Sequence, residues 1–533
     1  MPFSISEFGF RGEIFDFTGG LNDRAQNTHI RENQASDILN MVFATYGPIA
    51  TRNGYALFGT QTSTSGIYGL NQYVKYDGTR YLLAVCDGKL LSETGGSGTF
   101  SEVGSGITAS SYVSMVNVGG DIYLVDGTAV LKKYDGSTLA ATAQTPADAC
   151  SFLLSIHSPP RIFALRGASH IGRYYWCDAG AYATWGGSSY EELPNGDEIM
   201  GGGILFGRPI IFGRETIFMI VGTDPSTWEL RQVNSSVGMA SNHPQAVAYV
   251  HGELWFPARD GVYALGGSSS ESGNAWSFDN IGARKVSKDI QGTWDTINQD
   301  AIKYACAAVL DNKYELCVPT GSSTVNNYTL YCDTDIDITQ EDGTIGHPWS
   351  VFDYGFRSIA KYQPGNTAYL YGGTNTNGEI MNLRTGTNDN GAAISWKYKT
   401  KYFDCGIAEY NKIFEDLFIW TEAPGSWTVD FGYTIDFQSD IGGYSTTDLS
   451  LSSGMAGWGT MVWGVDNWRA NIDAKIQKRY FNNGDYGFTP YAGQELKSRG
   501  RYIRFAVEGS TLNQYCTLIG MVLSGSVADK SSS

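Results

Sequence analysis

The chain has 533 residues and a mass of 58.0 kDa, too long for one ordinary core, so two or three domains are expected. Charged residues make up 17%, below the ~25% usual for soluble domains. Gly (66), Tyr (33) and Phe (25) are abundant, a balance that favours short strands and turns over long helices. A net charge of −17 argues against a protein that grips nucleic acid with a basic face or docks on anionic membrane.

The opening MPFSISEFGFRGEIF has no basic head, apolar core or cleavage site, so no signal peptide is expected. No run of 18 apolar residues suggests a membrane span. Residues 1–55 read as an N-terminal arm with one short helix over ENQASDILNM (32–41), its apolar residues being Ile38, Leu39 and Met41. Gly47-Pro48 marks a turn soon after it.

From residue 56 to 390 one pattern returns: an apolar run, a turn with Asp or Gly, and a second apolar run. YLLAVCDGKLL (81–91) is the clearest case. The turn centres are Asp87, Asp126, Asp178, Gly213, Asp260, Asp311 and Gly373, separated by 39, 52, 35, 47, 51 and 62 residues. A blade of four short antiparallel strands takes roughly 40–50 residues, so the spacing predicts a β-propeller-like platform of degenerate blades. Runs such as Leu82-Leu83-Ala84-Val85 are apolar on both faces, as strands packed between two sheets require. Closing the ring would leave only short edges for unwanted pairing.

Residues 391–525 have a different texture. Segments such as SWKYKTKYFDCG (395–406) and RGRYIRFAVEG (499–509) predict a separate C-terminal β-sandwich, with 526–533 as a disordered tail. The fold class expected is therefore all-β, a propeller followed by a sandwich. Eight scattered cysteines without CxxC spacing read as reduced, buried thiols, with a Cys306–Cys317 disulfide as the alternative across one hairpin.

Catalytic signatures are missing. There is no GxSxG elbow, HExxH, phosphate loop or GxGxxG after a strand, and the six histidines do not pair at ligand spacing. The only metal candidate is DTDIDITQEDG (333–343), where Asp333, Asp335 and Asp337 fall at calcium-loop positions 1, 3 and 5. Ile338 and Thr344 stand where that loop needs glycine and glutamate. TNDNGAAISW (387–396) is one residue too long for the Asp box of propeller glycosidases. No enzyme, cofactor or metal is expected.

The N-terminal stretch FTGGLNDRAQNTHIRENQASDILNMVFATYGPIATRNGY (17–55) resembles the opening of the tail nozzle proteins of short-tailed bacteriophages, also called packaged-DNA stabilisation or tail accessory proteins. Gly19, Gly20, Leu21 and Asn22 match its GGLN. Asn33 and Ala35 match next, then Asp37, Leu39 and Asn40 match its D-x-x-N block, followed by Gly47 and the R-x-G of Arg52 and Gly54. Blocks at 161–167, 174–187, 195–222, 237–267 and 347–353 are similar in order and spacing, whereas the C-terminal 130 residues carry no recognised pattern. Read on their own chemistry, Gly19, Gly20 and Gly54 are positions of close approach or positive φ, and Asn22 and Asn40 are turn or cap formers.

The resemblance implies a virion protein assembled in the host cytoplasm. It would form a ring, usually of six copies, below the portal and its adaptor, extend the DNA channel and help to retain packaged DNA. Partners would be other copies, the adaptor, tail fibre or needle proteins, and double-stranded DNA passing without specific binding. Arg24, Arg31 and Arg52 would then face protein partners. Two alternatives are a tail-tip adhesin that binds host glycans and, less favoured, a propeller glycan hydrolase.

Overall fold

The computed structural model describes residues 4–6, 9–44, 46–61, 63–234, 236–269, 276–340, 343–422, 428–437, 447–450, 474–480 and 499–530. The all-β expectation holds. The described chain is almost entirely antiparallel strands, with one short α-helix at Gln291–Asp295 and a few 3-10 turns. It divides into two compact units: residues 56–334 with 353–384, and residues 1–55 with 335–352 and 385–533.

The first unit is a seven-bladed β-propeller. Its blades begin with the strands Ile67–Val74, Ser114–Val118, Cys150–His157, Ile199–Leu205, Ala248–Val250, Cys306–Leu310 and Ser358–Tyr362. Most successive blades pack through these first strands, the fourth blade's first strand meets the fifth blade's second, Glu253–Pro257, and the seventh packs on the first, so the ring closes. The seventh blade takes its outer strand, Tyr55–Thr60, from the chain ahead of the first blade. Beginning and end of the propeller are thus laced within one sheet.

This ring explains the doubly apolar runs. Leu82 and Ala84 enter a core shared with Tyr362, Tyr371 and Ile380 of the seventh blade. Leu83 and Val85, pointing the other way, enter a core shared with Ile122 and Leu124 of the second. Ile211 likewise faces the third blade, and Ile210 and Phe212 face the fifth. With a side-chain period of two, each strand between two sheets supplies both cores at once. Tight turns follow from local chemistry: Asp311 and Asn312 both adopt positive φ (51° and 56°), as a two-residue hairpin requires.

The second unit is a β-sandwich of two sheets. One runs in the order Ser4–Ser6, Gly9–Ile14, Thr517–Lys530, Tyr410–Glu422, Ala474–Tyr480, with three short strands attached. The other runs Ala35–Leu39, Trp396–Thr400, Ile503–Gly509, Thr428–Ile435, Thr447–Ser450. It is not purely C-terminal, because residues 1–55 supply strands to both sheets instead of forming a separate arm.

Two local expectations are corrected. Residues 32–41 form no helix; Ala35–Leu39 is a strand paired with Trp396–Thr400. A register shift between Ala35 and Asp37 breaks the period-two pattern there, which leaves Ile38, Leu39 and Met41 looking helical in sequence. The tail is ordered further than expected, since residues 526–530 continue the strand Thr517–Lys530 against Tyr410–Glu422. Residues 531–533 lie outside the described residues.

Candidate functional site

The motif positions of the N-terminal segment come together inside the sandwich. Gly20 has φ +73°, and a Cβ there would lie 2.7 Å from the Trp349 amide nitrogen; a Cβ on Gly19 would lie 2.5 Å from the Asn33 carbonyl oxygen. That closeness lets the Leu21 amide donate to the Trp349 carbonyl (2.8 Å) and the Asn22 amide to Ala35 (2.9 Å). Leu21 is buried, and the Asn22 side chain accepts from the Ala25 amide (3.3 Å) while donating to Gln34 (3.0 Å). Asp37 pairs with Lys397 at 2.6 Å on the neighbouring strand.

The centre of this assembly is Arg52. Its side chain is 2% exposed and forms a bidentate pair with Asp389, at 2.8 Å from Nη1 to Oδ1 and 2.7 Å from Nη2 to Oδ2. Its Nε donates to Asn40 Oδ1 (2.8 Å), and its guanidinium lies 5.5 Å from the Phe352 ring centre. Asn40, at φ +55°, donates from its amide to Val351 (2.7 Å) and from its side chain to Ser395 (2.6 Å). Gly54 completes the contact, because a Cβ there would fall 1.8 Å from the Asn388 carbonyl oxygen. The knot joins the N-terminal segment to itself, through Asn22–Ala35, Asn22–Gln34 and Arg52–Asn40, and to the segments around residues 349–351 and 388–397, through Leu21–Trp349, Asn40–Val351, Asn40–Ser395, Arg52–Asp389 and Asp37–Lys397. Arg52 therefore faces its own fold rather than a partner protein, a correction that follows from the buried carboxylate opposite it. Asp389, its partner, sits in the stretch that resembles an Asp box, and Trp396 of that stretch is buried.

The aspartates of 333–343 are not gathered. Asp333 is buried in an ion pair with Lys313, Asp335 is exposed, and Asp337 is exposed beside His347 at 3.5 Å. Among the described residues no three Asp, Glu, His or Cys side chains converge as a metal would need. All eight cysteines are buried and free, and Cys306 and Cys317 face each other across their hairpin as thiols.

A second constellation, without a sequence signature, lies on the propeller axis. Gln245, on the link into the fifth blade, donates to the Leu70 carbonyl of the first (2.7 Å) and accepts from the Ile359 amide of the seventh (3.3 Å). One amide side chain thus bridges separate parts of the ring. Beside it the fully buried His243 accepts from the Gln245 amide at Nδ1 (3.0 Å) and packs edge-on against Tyr112, 4.4 Å between ring centres. Burial outweighs a hydrogen bond with the Arg357 backbone that pulls the other way and holds its pKa down to about 3, so the imidazole is neutral at ordinary pH. These residues sit on links between blades, far apart in sequence, where no local period marks them.

No protein-family model and no curated protein matches the chain. Among solved structures it is similar to virginiamycin B lyase from Staphylococcus aureus, with a TM-score of 0.37 and 10% identity over 61% of this chain and 96% of that one. It is similar also to YCF48 from Cyanidioschyzon merolae, with 0.38 and 11% over 62% and 98%. For BamB from Moraxella catarrhalis the values are 0.34 and 12% over 64% and 90%.

Proposed function

We propose that this chain is a structural subunit of a bacteriophage tail, a nozzle protein that assembles into a ring of six copies below the portal adaptor, retains packaged DNA and conducts it at ejection. The observation that carries the reading is the ordered set of motif residues from Gly19 to Gly54, engaged within the fold through backbone hydrogen bonds, close backbone approach and side-chain ion pairs. Stiffness supports it too: a closed seven-bladed ring with short edges suits wall material. Gln245 ties the first and seventh blades across the propeller ring, and in this reading the passage for DNA runs between copies, through a heterologous interface closed by rotation. Six copies of −17 carry −102, and a wall of that sign repels phosphate, letting the duplex slide without sticking. The chain acts without catalysis, in the virion, after assembly in the host cytoplasm with its adaptor and the tail fibre or needle proteins.

Electron cryo-microscopy of the purified chain mixed with its adaptor tests this. Rings with a central opening are expected. A chain that stays monomeric at every concentration, with and without the adaptor, overturns the assignment.

A further inference from the structure

The same axial region of the propeller carries an arrangement that the wall role does not use. Tyr68, Tyr112 and Tyr304 are half-buried and form a continuous row, with ring centres 5.5 Å and 5.7 Å apart. A cation stands at each end. The Arg357 guanidinium lies 4.5 Å from the Tyr68 ring centre and 6.0 Å from that of Tyr112. The exposed Lys303 ammonium lies 5.1 Å from the ring centre of Tyr304.

Among the described residues neither cation pairs with a carboxylate. Arg357 donates to the Tyr112 hydroxyl at 3.4 Å and to the Asn375 carbonyl at 3.1 Å, and its Nε has no acceptor among the described residues. Several other arginines of this acidic chain are matched with carboxylates, Arg52 with Asp389, Arg384 with Glu315, Arg166 with Glu198 and Arg284 with Glu253, whereas Arg80 and Arg161 bond to backbone carbonyls. With 54 acidic and 37 basic residues in the sequence, two cations on one row of rings that meet no acid among the described residues leave positive charge for an outside anion to balance.

We propose that this axial row of tyrosines, flanked by Arg357 and Lys303, is a binding site for a carboxylate. A guanidinium fork pairs with a planar carboxylate, an ammonium adds a point charge, and tyrosine hydroxyls donate hydrogen bonds. Burial keeps the Tyr112 hydroxyl protonated and so able to donate, although Arg357 beside it pulls the other way. Gln245 and the neutral His243 lie beside the row, so no third charge competes for the ligand. Phosphate is the competing anion, since Arg and Lys also bind it, and the planar fork of Arg357 favours the flat carboxylate. The site is independent of the ring assignment, because its residues all belong to the propeller of a single copy.

Calorimetric titration of the full chain with sodium malonate, at ionic strength held constant with sodium chloride, tests the site. Saturable binding is expected, weakened about tenfold in Arg357→Leu and in Lys303→Gln, the latter altering only an exposed side chain. Inorganic phosphate and a hexaglutamate peptide form the other arms. A peptide that binds more tightly than malonate identifies a protein-borne carboxylate, and the reverse order identifies a small-molecule one. Malonate binding unchanged in folded Lys303→Gln, no heat beyond the chloride control, or phosphate binding as tightly as malonate overturns the proposal.

Discussion

Arg52 shows how a single side chain can fix the course of a segment. Its guanidinium satisfies Asp389 on one edge and Asn40 on the other, and all three lie within the sandwich. Arg52→Met removes the donors but leaves the carboxylate in place. Breaking such a buried pair from one side costs about 3–5 kcal/mol. We expect the unfolding free energy from denaturant titration to fall by that amount, and a loss under about 1 kcal/mol would show the pair to be dispensable. Asp126 gives a pH-dependent counterpart in the propeller. Burial opposes its ionisation, but the amides of Ala129 (2.6 Å), Thr108 (2.7 Å) and Thr128 (3.0 Å) outweigh that and hold its pKa below the usual carboxylate value. A carboxyl shifted down on folding stabilises the protein above about pH 3.9, and the contribution fades as pH falls toward the folded value. Asp126→Asn should therefore lower the melting temperature at neutral pH while flattening the acid limb of the stability curve. An acid limb as steep as in the parent chain would refute this.

At the scale of elements, the strand Tyr55–Thr60 decides whether the propeller is a ring or an open arc. Phe58 packs on Tyr371 of the seventh blade (4.6 Å between ring centres) and on Phe100 beyond the first blade's third strand (6.1 Å). Phe58→Ala should cost about 3 kcal/mol and loosen this seam before any other. Hydrogen exchange checks it: amides of Ile67–Val74 and Ser358–Tyr362 should speed up while those of Arg208–Gly213 stay protected. Uniform acceleration would count against a local seam. The ring itself was legible in the sequence. Each turn centre from Asp87 to Gly373 falls in a different blade. Their uneven spacing has a plain cause, since five join second and third strands, whereas Asp178 joins the third and fourth and Asp311 the first and second. The strand at 35–39 was misread because its bulge disguised the alternation, and the helix Gln291–Asp295 was missed because QGTWD has no apolar period. In the knot, Asn40, Arg52 and Gly54 could be picked out by motif order. Asp389 and Ser395 could not, as they lie more than 300 residues further along the chain. The axial cluster left no trace, because its members come from separate links and share no period.

For the whole molecule, charge and closure pull in different directions. Bringing copies at −17 each into one ring gathers repulsion that salt screens. Raising sodium chloride from about 0.1 M to about 1 M shortens the screening length from about 10 Å to about 3 Å. Sedimentation velocity should then show more of the proposed ring at equal protein concentration, and a loss of ring with added salt would mean that attraction between opposite charges dominates the interface. Closure has a consequence for biosynthesis as well. The strand Tyr55–Thr60 leaves the ribosome long before Glu379–Leu383, the neighbour it pairs with. At about 5–20 residues per second, that wait is on the order of tens of seconds. Throughout it the nascent chain holds one sticky strand in reserve, so the half-made disc is the species most in need of chaperone shelter.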